Sequence, residues 1–217
     1  MKDIKWIFFD VGSTLIDETN AYEKCFREIA EMAGRSYENI IQEALMFYQQ
    51  NKKGDLEIVR KYGLTMPIWH TEDERLYEGV PQFLEKLSRN FKIGIIANQS
   101  LGTEKRLQNH GILQYIDLVV ASAEEGVAKP DLGIFEIALE RSGCWPENAV
   151  MVGDRIDNDI VPAKKMGMHT IWVKQGYGKY WVIQQEGEVP EVQVDSIVSL
   201  GRNLEKYCGG LSNGGND

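Results

Sequence analysis

The sequence predicts an α/β fold in three layers: a parallel sheet between two layers of helices, with a helical module inserted after the first strand. Three observations carry this reading. Short runs of bulky apolar residues recur at 4–9, 93–97, 118–121, 150–152 and 170–173, each next to Gly, Asn or Asp. Helix-like stretches lie between them. Residues 18–78 break the alternation and hold no convincing strand. Strands that are apolar throughout belong in a sheet covered on both faces, and their alternation with helices makes that sheet parallel.

The first run ends in Asp10, followed by Gly12 and Ser13, and reads as a buried strand closing in a turn. Within the inserted module, Tyr22, Phe26, Ile29 and Met32 fit one helix face, and Ile40, Ile41, Ala44 and Phe47 a second. Leu56, Ile58 and Val59 begin a third. Beyond the module, Val80, Phe83, Leu84 and Leu87 mark a helix, as do Ile134, Phe135, Ala138 and Leu139. The latter follows Pro130-Asp131, a natural N-cap, and stops at Gly143. A shorter helix is expected over 158–166, ended by Gly167. The domain reading is therefore a core of residues 1–17 and 79–207, a helical cap over 18–78, and a loose Gly/Ser/Asn-rich tail over 208–217.

The chain has 217 residues and a net charge of −9. That length can bury a core without disulfide staples. The negative charge argues against general affinity for nucleic-acid backbones. No apolar run is long enough for a bilayer, and the charged start, Met1-Lys2-Asp3-Ile4-Lys5, is unlike a signal peptide. Cys25, Cys144 and Cys208 are scattered and odd in number, which suits a reducing cytosol. A cytoplasmic monomer or homodimer, with no nucleic-acid or membrane partner, is expected.

In a parallel sheet, sites form beyond the carboxyl ends of the strands. Asp10, Asn98 and Asp154 each fall at or just past such an end. Four motifs follow in order: Asp10-Val11-Gly12-Ser13-Thr14-Leu15, Ile95-Ile96-Ala97-Asn98, Lys129-Pro130, and Gly153-Asp154 with Asn158-Asp159. Any one of them is weak; the ordered set is specific. From Ile4 to about Leu200 the chain resembles the haloacid dehalogenase-like hydrolases, whose core is Rossmann-like and whose caps are inserted after the first motif.

The resemblance implies Mg²⁺-dependent hydrolysis of a small phosphorylated molecule through an aspartyl-phosphate. Asp10 would be the nucleophile. Asp10, Asp154 and the Gly12 carbonyl would ligate the metal, with Asp159 as a further metal acid or support. Lys129 would pair with Asp10 and the phosphoryl oxygens. Asn98 and Gln99 would contact substrate or cap.

Two positions depart from the pattern. Gly12 stands where the family carries the Asp that protonates the leaving alcohol and then activates water, a loss worth about a hundredfold to ten-thousandfold. Ala97 replaces a phosphate-binding Ser or Thr, removing roughly 1.5–3 kcal/mol of hydrogen bonding. Four readings stay open. The acid/base could come from Ser13, Asp17, Gln99, Ser100 or a cap residue. The substrates could be acyl phosphates, which need no acid. A cap lysine (Lys24, Lys52, Lys53 or Lys61) could form a Schiff base, as in phosphonoacetaldehyde hydrolase. Or the chain could bind its ligand without turnover. His70, His110 and His169 are isolated and read as structural, with His70 the one worth testing; Trp172 reads as core. The aromatics of 175–181 fit either a site border or loop packing.

Overall fold

A computed structural model describes residues 1–208; the side chains of 204–206 and 208 are not described. The expected tail lies outside the described residues except for Cys208, the last residue of a helix.

Six parallel strands form the main sheet: β1 (Trp6–Phe9), β4 (Lys92–Ala97), β5 (Leu118–Ala121), β6 (Ala149–Gly153), β7 (His169–Val173) and β8 (Val192–Val194). Their order is β5-β4-β1-β6-β7-β8. β1 sits in the middle because it is apolar on both faces. Ile7 and Phe9 pack with α4 (Val80–Ser88) and α9 (Ile197–Cys208) through Leu84, Leu87 and Leu200. Phe8 points the other way, onto Phe135 and Ala138 of α7 (Leu132–Ser142) and Ala163 of α8 (Val161–Lys165). This period-two division supplies the two helical layers.

The order also fixes where a site can form. The chain leaves β1 toward β4 on one side and reaches β6 on the other. The crevice beyond the carboxyl ends of β1 and β6 is thus the point where the winding reverses.

Between β1 and α4 the chain forms α1 (Thr19–Ala33), α2 (Tyr37–Tyr48) and α3 (Gly54–Tyr62). Phe26, Ile29, Ile40, Ala44 and Ile58 share a cluster with Ile156, Trp172 and Trp181 of the main body. Met32 and Leu56, read as buried-face residues, are exposed. The stretch expected to hold no strand contains one: β3 (Arg75–Leu76) pairs antiparallel with β2 (Ile16–Asp17). Two residues are too few to show alternation, so pairing alone reveals the strand. Among the described residues, no helix is long and apolar enough to cross a membrane.

The segment expected as a helix over 158–166 instead opens as a π-turn, Ile156–Ile160, before α8. Pro162 lacks an N–H and enters α8 in its first turn. The wide turn is closed by Asp159 N and Ile160 N, which both donate to Arg155 O, at 2.9 and 3.3 Å. Such single π-turns are frequent at functional sites. Here it aims Asp159.

Candidate active site

Asp10 follows β1 directly, and its N–H donates to Val152 O of β6 at 2.9 Å. That bond sets Asp10 beside Gly153 and Asp154. Asp159 arrives from the π-turn, its Oδ2 accepting the Arg155 N–H at 3.0 Å. A methyl group at Gly153 would overlap the Asp159 carboxylate, so glycine there leaves the space into which Asp159 folds. Ligand oxygens of Asp10, Asp154 and Asp159 all lie within 4.8 Å of one another.

Lys129 enters this acidic group from beyond β5. Its Nζ donates to Asp10 Oδ1 and Asp159 Oδ1, both at 2.6 Å, and the residue is buried. Burial pulls the ammonium pKa down, but Asp10 and Asp159 outweigh it and hold it above its usual value. Asn98 grips the Lys129 backbone from both sides. Its Oδ1 accepts the Lys129 N–H at 2.7 Å, and its Nδ2 donates to Lys129 O at 2.8 Å. The Asn98 amide, expected like its backbone to contact phosphate or cap, is engaged with the lysine, and Asn98 also lines the cavity into which the group opens.

Asp154 is buried with Lys129 bonded to its neighbours. Its carboxyl is pushed well above the carboxylate range by burial first and then by Asp10 and Asp159. Asp159 is raised to about 6, by burial first, against the lowering pull of Lys129. Three crowded carboxylates and one ammonium leave a net negative site of hard oxygen donors, which is what a small divalent cation requires. The residues present fit such an ion.

The group opens into a cavity of about 510 Å³. Gly12, Gln99, Ser100 and Ser122 line it below; Tyr22, Tyr48, Lys53, Leu56, Met66 and Trp69 line it from the inserted module. Tyr177 and Trp181 complete the wall, so the 175–181 loop does border the site. Tyr177 stacks on Tyr48 at 4.6 Å and meets Tyr22 edge-on at 4.9 Å, joining module to core. Of the four module lysines, Lys53 lines the cavity. Lys24 and Lys61 pair with Asp73 and Glu43 elsewhere. His70 is held among Lys24, Glu28 and Glu72, and His169 pairs with Glu191.

Two residues that sequence reasoning passed over belong to the site. Trp172, read only as core, also donates Nε1 to Asp154 O at 2.8 Å. Glu18 lies in the cavity wall, where Ser13 Oγ donates to its Oε2 at 3.0 Å. Its carboxyl is pushed up to about 7 by burial, then Glu74 and Asp10, against Ser13 and Arg106. No motif marks it. Its neighbour Asp17, a candidate acid/base, instead caps the following helix, accepting the Thr19 N–H at 2.9 Å.

These elements are those of one class of enzyme, and sequence comparison agrees. The profile of the haloacid dehalogenase-like hydrolases matches residues 7–173, and the chain belongs to that family. A glyceraldehyde 3-phosphate phosphatase of Pyrococcus furiosus is 29% identical, with 96% of each chain covered. The pyrimidine 5'-nucleotidase YjjG of Escherichia coli is 37% identical over 59% of this chain and 56% of its own. Among solved structures, a HAD phosphatase from Thermococcus onnurineus superposes with a TM-score of 0.65 at 22% identity, covering 95% of this chain and 99% of that one.

Proposed function

We propose that the protein is a Mg²⁺-dependent phosphatase acting on a small phosphorylated metabolite. The observation that carries this is the meeting of Asp10, Asp154 and Asp159 around one point at the sheet edge, with Lys129 between two of them. Relatives of similar length named as phosphatases support the same reading.

Asp10, Asp154 and the Gly12 carbonyl would hold Mg²⁺, with Asp159 as support; the ion would offset phosphoryl charge and orient the group for in-line attack. Asp10 attacks phosphorus and the alcohol leaves, giving an aspartyl-phosphate that water then cleaves. Lys129 keeps Asp10 aimed and faces the anionic oxygens. Asn98 acts through Lys129, by fixing its backbone. Residues 18–78 act as a cap: their aromatic wall and Lys53 would exclude water and choose the organic part of the substrate.

Purified protein incubated with Mg²⁺ and a panel of sugar, triose, nucleoside and amino-acid phosphomonoesters should release phosphate, and Asp10→Asn should abolish release. Activity surviving in Asp10→Asn would remove Asp10 as the nucleophile. The position of Lys53 in the cavity wall favours one second reading, a Schiff base with a carbonyl substrate. Borohydride in the presence of phosphonoacetaldehyde should leave Lys53 unmodified if the phosphatase reading is right.

A further inference from the structure

Gly12 removes a carboxylate from the first motif, yet the space beside it is filled by one. A Cβ built on Gly12 would lie 2.5 Å from Glu18 Oε1 and 2.8 Å from Glu18 Oε2 and Cδ. No side chain at position 12 can coexist with Glu18 as placed. Conversely, Glu18 reaches the volume into which a residue-12 side chain would project.

We propose that Glu18 is the general acid/base of this enzyme, delivered from the start of the inserted module rather than from the first motif. The assignment rests on the phosphatase reading and deepens it.

Several features hold the carboxylate there. Glu18 occupies the N-cap position of α1 but makes no side-chain cap, so its carboxylate is not turned back on the helix. Asp17 serves that helix end instead. Ser13, in the left-handed region at φ 55°, turns its hydroxyl onto Oε2, and the Arg106 guanidinium stands 3.9 Å from Oε1. Arg106 is itself anchored by Glu74, its Nε donating to Oε2 at 2.9 Å. Oε1, the oxygen nearest Gly12, is the one Ser13 leaves free. Glu18 and Asp10 line the same cavity.

The chemistry balances with the groups present. As Asp10 forms its bond to phosphorus, the ester P–O bond breaks, and the protonated Glu18 carboxyl gives its proton to the departing alkoxide. Glu18, now a carboxylate, takes a proton from water as that water's oxygen bonds to phosphorus. The Asp10 O–P bond breaks as the water oxygen bonds, releasing inorganic phosphate and returning Asp10 as a carboxylate and Glu18 as a protonated carboxyl.

The test uses acetyl phosphate, whose leaving group needs no proton, beside an alkyl phosphomonoester the wild type turns over. Glu18→Gln should lower alkyl ester kcat about a hundredfold to ten-thousandfold. With acetyl phosphate it should still form the Asp10 phosphoryl adduct, then accumulate it, because water is no longer activated. Gly12→Asp with Glu18→Ala should recover at least about tenfold of the ester turnover lost in Glu18→Gln. Adduct formation by Glu18→Gln confirms that the variant folds. Should Glu18→Gln fail to fold, ester turnover of the double variant at least about tenfold above that of Glu18→Ala decides the case, and turnover no higher than that of Glu18→Ala overturns the assignment. Ester kcat within about threefold of wild type in Glu18→Gln would also overturn it. A wild type with neither turnover nor adduct would sink the phosphatase reading itself, and the assignment with it.

Discussion

Lys129 is a buried cation hydrogen-bonded to Asp159, which is buried, and to Asp10, which is partly so. Removing one partner of such a group leaves the others uncompensated, which costs about 3–5 kcal/mol where geometry is good. Lys129→Met should therefore lower the unfolding free energy by about that much in urea titration, on top of its effect on turnover. A change below about 1 kcal/mol would mean that the ammonium contributes little to the fold. Glu18 behaves differently. Its folded-state pKa of about 7 lies above the usual value of 4.5. The folded chain then holds a proton that the unfolded chain has released. That stabilisation is complete below pH 4.5 and is lost as pH rises toward 7. In EDTA, Glu18→Gln should melt above wild type at pH 8, with the gap closing as pH falls to 4.5. Equal melting curves at pH 8 would show that burial does not strain this carboxyl.

At the scale of elements, glycine and the π-turn decide where the acids go. Gly153→Ala would drive a methyl group into the Asp159 carboxylate. Overpacking of this kind costs about 1–3 kcal/mol, so the variant should melt several degrees below wild type and bind Mg²⁺ more weakly. Unchanged melting and Mg²⁺ affinity would mean that the π-turn yields freely.

The same elements mark what the sequence could tell. The apolar runs located the five longer strands of the main sheet because burial on both faces leaves an unbroken hydrophobic signal. β8 has only three residues, with exposed Gln193 at its centre, and carries no such signal. Asp10, Lys129, Asp154 and Asp159 could be singled out because their order and spacing form motifs, and the fold brings them together. Glu18 could not: its role depends on the turn after β1 bringing position 18 back over position 12. The bonds from Asn98 to the Lys129 backbone could not be read from spacing, since they cross 31 positions.

For the whole molecule, three carboxylates and one ammonium meet where β1 and β6 end, closed over by α1–α3 and the 175–181 loop. A ligand that binds only the folded state stabilises it by mass action, about 2.7 kcal/mol at a hundredfold excess over Kd. Mg²⁺ at such a level should raise the melting temperature of the wild type by roughly 5–10 °C. Asp154→Asn should lose most of that rise. An equal rise in both would move the ion elsewhere. Since residues of 18–78 line one side of the cavity, ligand-bound protein should also resist proteolysis within 18–78 better than free protein.

The most direct test of the account is to find the phosphoryl group on the chain. Protein mixed with Mg²⁺ and acetyl phosphate, quenched in acid within milliseconds and digested with trypsin, should carry one added phosphoryl group on the peptide that contains Asp10. The group should be missing in EDTA and in Asp10→Asn. Turnover with an unmodified Asp10 peptide in Glu18→Gln, where the adduct should accumulate, would contradict the account, as would a phosphoryl group trapped on any other residue.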